Sequence, residues 1–190
     1  MQVPLFPLNT VLFPGGPLPL RIFEPRYLDM VSACFKCDGP FGVLLIQEGG
    51  ESGPATTHSI GTLARITDWY QGSDGILGVT AVGETRFRLL ASHRESNGLN
   101  IGDVELLPDE APMPLPDEYR AMSGILNGVL DNLGRLYESI DRRMDDASWV
   151  TCRFVEILPI DLEQKQICLE TCDTARRLRI VKKLLDLQSS

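Results

Sequence analysis

No run in this 190-residue chain approaches the stretch of about 18 apolar residues that a membrane-crossing helix needs. The opening Met1-Gln2-Val3-Pro4 lacks the basic start and long apolar middle of a secretory signal. These absences make the cytoplasm the expected location and leave a membrane outside the expected partners. Basic residues are outnumbered too, 18 Lys and Arg against 26 Asp and Glu, for a net charge of −8. That balance repels phosphate backbones, so nucleic acid is not an expected partner. There is no Gly-Lys dipeptide, which excludes the phosphate-cradling loop G-x-x-x-x-G-K followed by Ser or Thr. Only two histidines occur, His58 and His93, so few Cys-His or Ser-His-acid sets could be assembled. His58 falls in a polar loop and His93 follows a strand end beside Arg94, positions that suit solvated histidines.

Five cysteines are an odd number, which rules out a complete disulfide framework and favours a reducing compartment. Cys34 and Cys37 form a C-x-x-C pair, with Cys152, Cys168 and Cys172 far away. A zinc site would need four thiolate or imidazole ligands converging tetrahedrally. Cys168 and Cys172 are spaced x3 rather than x2, so reduced, partly buried thiols are the expectation, and no metal or cofactor is expected.

What the sequence does contain is a proline-punctuated opening. Residues 4 to 31 read PLFPLNTVLFPGGPLPLRIFEPRYLDMV, in which prolines and Gly15-Gly16 alternate with large apolar residues. The backbone must therefore run extended, turn, run extended again and then enter a helix. Pro25 suits a first helical position, Glu24 places negative charge at the helix start, and Arg21 or Arg26 can pair with it. Phe6, Phe13, Phe23 and Tyr27 read first as core fillers.

Further strands are expected at 42–46, 63–70, 76–82, 85–90 and 99–107, separated by Gly, Asp, Ser and Asn clusters. Alternation at 85–90 sets Arg86 and Arg88 on the face opposite Phe87, predicting a wet or ion-paired face. Residues 47–59 look too polar and glycine-rich to bury, a mobile excursion between two strands. Residues 108–116, with four prolines, form a stiff connector. Beyond it, apolar residues from Tyr119 to Tyr137 recur at helical spacing over about five turns. Asp145 or Asp146, Asp161 and Asp173 can cap three more helices. The basic cluster Arg176 to Lys183 reads as cations favoured near a helix carboxyl end.

The segment 4–31 resembles the opening of the amino-terminal domain of Lon proteases. Three further blocks match in order: 61–66 (GTLARI), 82–89 (VGETRFRL) and 158–166 (LPIDLEQKQ). The resemblance implies an α+β fold: a PUA-like antiparallel pseudo-barrel of about six strands with one early helix at residues 25 to 36, then a bundle of three or four helices. Expected domains are a strand-rich barrel, 1–110, and a helical bundle, 117–190. Full-length Lon proteases add an ATPase and a Ser-Lys protease, and neither has its motif here, so a non-catalytic protein is expected. The resemblance further implies a module that recognises unfolded or partly folded polypeptides. Phe13, Trp69 and Tyr70 are the candidate protein-binding residues, the last two at a strand end where aromatic side chains reach the surface. The competing expectation is a small-molecule binder or hydrolase with a pocket between barrel and helices.

Overall fold

A computed structural model describes the chain apart from residues 52, 54, 139, 189 and 190 and the side chains of 187 and 188. Two units fold around separate contacts, Met1–Asp109 and Glu110–Ser190. The first follows the proline and glycine punctuation: β1 (Gln2–Leu8), β2 (Pro17–Ile22), α1 (Pro25–Cys37), β3 (Phe41–Gly49), β4 (Ala55–Thr57), β5 (Ile60–Gln71), β6 (Leu77–Arg94) and β7 (Asn100–Leu106). The sheet runs β1-β7-β6-β5-β3-β4, and β1 also pairs in parallel with β3. Five strands thereby close a ring.

Both faces of β1 and of the first part of β3 are buried. Along β1, Val3 and Leu5 join Leu44, Leu63, Phe87 and Val104 in one apolar cluster. Phe6 and Leu8 point the other way, to a cluster with Phe41, Val43, Val79 and the α1 residues Tyr27, Met30 and Val31. Burial on both sides explains why β1 and β3 are almost continuously apolar rather than alternating. The face expected to be wet or paired divides: Arg88 is exposed and ion-paired with Glu105 at 3.7 Å, whereas Arg86 is 4% exposed and donates to the Pro108 carbonyl at 3.4 Å.

Two further differences from the sequence expectation share a cause in long-range pairing. The runs 76–82 and 85–90 form one strand, β6, pairing successively with β2, β5 and β7. The polar excursion 47–59 contains β4, paired with the end of β3. Its Glu51 is also anchored, accepting from the Asn9 amide at 2.8 Å and, through its carbonyl, from Arg26 at 3.0 Å.

The three matching sequence blocks of the first unit touch one another. Gly15 donates to the Gly83 carbonyl at 2.7 Å, and Gly83 donates to the Gly16 carbonyl at 2.9 Å, clasping the Phe13–Gly16 turn onto β6. A Cβ at position 83 would lie 2.3 Å from the Phe13 carbonyl oxygen, so only glycine permits this approach. The Thr62 hydroxyl donates to the Leu12 carbonyl at 2.6 Å, and Arg65 pairs with Glu84 at 2.6 Å.

β2 pairs only with β6 among the described strands. Prolines 17 and 19 carry no N–H, so its ladder donors must be Leu18, Leu20 and Ile22. The outward edge is left with a single N–H, that of Arg21.

In the second unit a 3-10 turn (Asp117–Tyr119) leads into α2 (Arg120–Leu133), followed by α3 (Arg135–Glu138), α4 (Ala147–Ile157), α5 (Leu162–Glu170) and α6 (Thr174–Gln188). The single stripe expected from 119 to 137 is broken at Gly134, whose φ of 59° leaves the helical region. Asp146, Asp161 and Asp173 accept from the amides of Ser148, Gln164 and Arg176 at 3.0, 2.8 and 2.9 Å, closing the first turns of α4, α5 and α6. The basic cluster is split by burial. Arg177 is 1% exposed and forms a two-point ion pair with Glu110, which also accepts from Ser148 and Thr174 at 2.9 and 3.0 Å. No helix of the described residues is long and apolar enough to cross a membrane.

Candidate functional site

The first unit carries a cleft of about 490 Å³ beside β2, where β1 ends and α1 begins. Buried Leu8, Leu18, Leu20 and Tyr27 line it, with Phe23 and Glu24 as further lining residues. Its polar side is a closed network. Arg26, 8% exposed, donates to the Glu24 carboxylate at 2.9 Å and to the Gly98 carbonyl at 3.2 Å. The guanidinium also lies 4.5 Å from the centre of the Tyr27 ring, which stacks on Phe6 at 3.9 Å. Burial pushes the Tyr27 hydroxyl above its usual pKa. These charges hold backbone and ring in place, as expected for Glu24 and Arg26 at a helix start.

The β5 end provides the apolar surface. Trp69 is 61% exposed and Tyr70 52%. In register, Trp69 faces Val79 and Val79 faces Leu20, so Trp69 shares a sheet face with a residue lining the cleft. Tyr70 lies against Gly78, where a Cβ would come within 2.3 Å of the ring. Arg21, the β2 neighbour of Gly78, is ion-paired with Asp74 in the turn after β5. Phe23, expected in the core, is 64% exposed at the end of β2. No sequence signal separated it from its aromatic neighbours, because its exposure depends on where β2 ends.

Phe13 is the correction. Its side chain is 1% exposed, held inside by the Gly83 clasp and the Thr62 bond next to it, and it offers no surface to a partner. Trp69 and Tyr70 are both exposed but, as consecutive residues of β5, stand on opposite faces of the sheet, and Phe13 is left out.

The buried thiols are poorly suited to nucleophilic chemistry. Burial, with the neighbouring Cys37, raises Cys34 to about 11, and burial raises Cys152 to about 11. A thiol nucleophile or ligand needs the opposite shift. Among the described residues no group of three or more His, Cys, Asp or Glu converges as a metal site. His93 lies exposed in β6, paired with Ile101. His58 is half-buried between β4 and β5, its amide bonded to the Leu45 carbonyl at 3.0 Å.

Comparison with known proteins adds the following. The family described as the ATP-dependent protease La (Lon) substrate-binding domain matches residues 2–186. A crystal structure of a Lon N-terminal domain protein from Xanthomonas campestris superposes with a TM-score of 0.78 at 34% identity, covering 96% of this chain and 98% of that one. The Lon protease of Paraburkholderia phytofirmans is 30% identical over 179 residues, covering 90% of this chain and 22% of the protease. Protein cereblon of Xenopus tropicalis is 30% identical over 119 residues, covering 60% of this chain and 26% of cereblon. The chain thus spans about a quarter or less of these longer relatives.

Proposed function

The chain belongs to the Lon substrate-binding domain family, and from that membership we propose that it is a non-catalytic module that holds unfolded or partly folded polypeptide segments on its first unit. The observation that carries this reading is the apolar cleft lined by the exposed Phe23, with exposed Trp69 on the same sheet face as its lining residue Leu20. Large aromatic residues left in water at strand ends are what a binding surface needs, since their burial supplies most of an interface's energy. The closed ion-pair network and the raised Cys34 thiol support a holding rather than a reacting site. The ring of five strands supports the PUA-like description, and five cysteines outside any disulfide suit the cytoplasm.

Isothermal titration with reduced, carboxymethylated α-lactalbumin, a permanently unfolded probe, tests the reading. Binding is expected at tens of micromolar. Trp69→Ser and Phe23→Ser are each expected to weaken it at least about fivefold, the effect of losing an anchor worth about 1 kcal/mol. Absence of binding by the wild-type chain, or equal binding by both variants, overturns it.

A further inference from the structure

The second unit has an apolar groove of its own. About 410 Å³ lies between α5 and α6, lined by Ile160, Ile167, Ile180 and Leu184 together with Gln164, Cys168 and Lys183. Ile167 is 49% exposed there. No acidic side chain lines the groove; Glu163 stands exposed on α5 one turn before Ile167.

At 100° per residue, Arg176, Arg179, Ile180, Lys183 and Leu184 share one face of α6, opposite the buried Leu178 and Val181. Arg176, Arg179 and Lys183 are exposed, and none of the three is ion-paired with a described residue. In a chain of net charge −8, with most of its other arginines matched to carboxylates, an unmatched cationic row beside an open apolar groove is an asymmetry with a direction. The α6 wall favours negative charge, and the groove favours a row of apolar side chains recurring at three and four residues.

We propose that this groove docks an amphipathic helix of a partner protein, its apolar stripe filling the space between α5 and α6 and its acidic flank lying along Arg176, Arg179 and Lys183. The site is separate from the polypeptide-holding surface of the first unit, so Trp69→Ser leaves it unchanged and the two readings fail independently.

The test is fluorescence anisotropy of the full chain with two labelled helical peptides that share a leucine stripe and differ only in carrying Glu or Lys on one flank. Saturable binding of the Glu peptide is expected, at least about tenfold tighter than the Lys peptide and weakening as salt shortens the reach of surface charges below about 10 Å. Arg179→Glu with Lys183→Glu is expected to reverse the preference, and Ile167→Asp to abolish binding of both. All three positions are surface-exposed, and circular dichroism checks folding. Should Ile167→Asp unfold the chain, the charge reversal decides alone. No saturable binding, equal binding of the two peptides, or a preference unchanged by the reversal overturns the proposal. So does a dimer in sedimentation, or flotation with anionic vesicles, that Ile167→Asp removes, since either would give the groove another occupant.

Discussion

Glu110 shows how one side chain can be misjudged from its neighbours in sequence. It lies in a proline-rich connector and its partner Arg177 in a basic run 67 residues later, so neither looks buried on local pattern. Only the packing of α4 and α6 brings Ser148, Thr174 and the guanidinium around the carboxylate. Burial alone would raise the Glu110 carboxyl, but the Arg177 pair and the two hydroxyl donors override it and hold it below its usual value. A depressed acid contributes stability that is present above the ordinary carboxylate pKa of about 4.3 and is lost as pH falls through the folded-state value. Glu110→Gln is expected to cost about 3 kcal/mol at neutral pH, because it strands a buried charge. Urea titrations across pH should show the gap from wild type closing below about pH 4, and a pH-independent gap would contradict the assignment. Phe13 and Phe23 teach the same lesson. They share one residue type and one proline-rich block, yet end 1% and 64% exposed, because only Phe13 has its backbone clasped by a distant strand.

Elements that rest on local chemistry were legible in the sequence. The α1 start at Pro25 and the aspartate caps of α4, α5 and α6 depend on residues within one turn, and each lies where the sequence sets it. The glycines were harder to interpret. Gly83 looks like a break between two strands but sits inside β6, serving as the seat for the turn before β2; Gly134 sits within a helical stripe but ends α2. Gly83→Ala is expected to cost about 1–3 kcal/mol, because its methyl group would collide with the Phe13 carbonyl oxygen and push the turn away. Urea unfolding measures the loss, and hydrogen exchange should quicken at the Gly15 amide. Wild-type stability together with unchanged exchange would show that the clasp is not needed.

At the scale of the whole chain, the family resemblance was legible because the matching blocks near the start meet in space: the 12–16 turn, the 61–66 strand and the 82–89 strand hold one another through backbone, hydroxyl and ion-pair contacts. The candidate surface was only partly legible. Trp69 and Tyr70 could be picked out at a strand end, whereas the cleft depends on β1, β2 and α1 converging, which no local pattern states. Every residue of the two apolar clusters of the first unit lies before position 109. A fragment of residues 1–109 is therefore expected to fold alone and give a dispersed amide spectrum, and random-coil shifts would refute this.

The prolines of β2 bear on how such a molecule survives its own task. On the proposed function the protein would meet unfolded, fibril-prone chains, and an open sheet border is where such material would zip on. With its donors removed at positions 17 and 19, that border cannot template a growing stack. Under that proposal, a client would then be held by its side chains rather than by strand addition at this border.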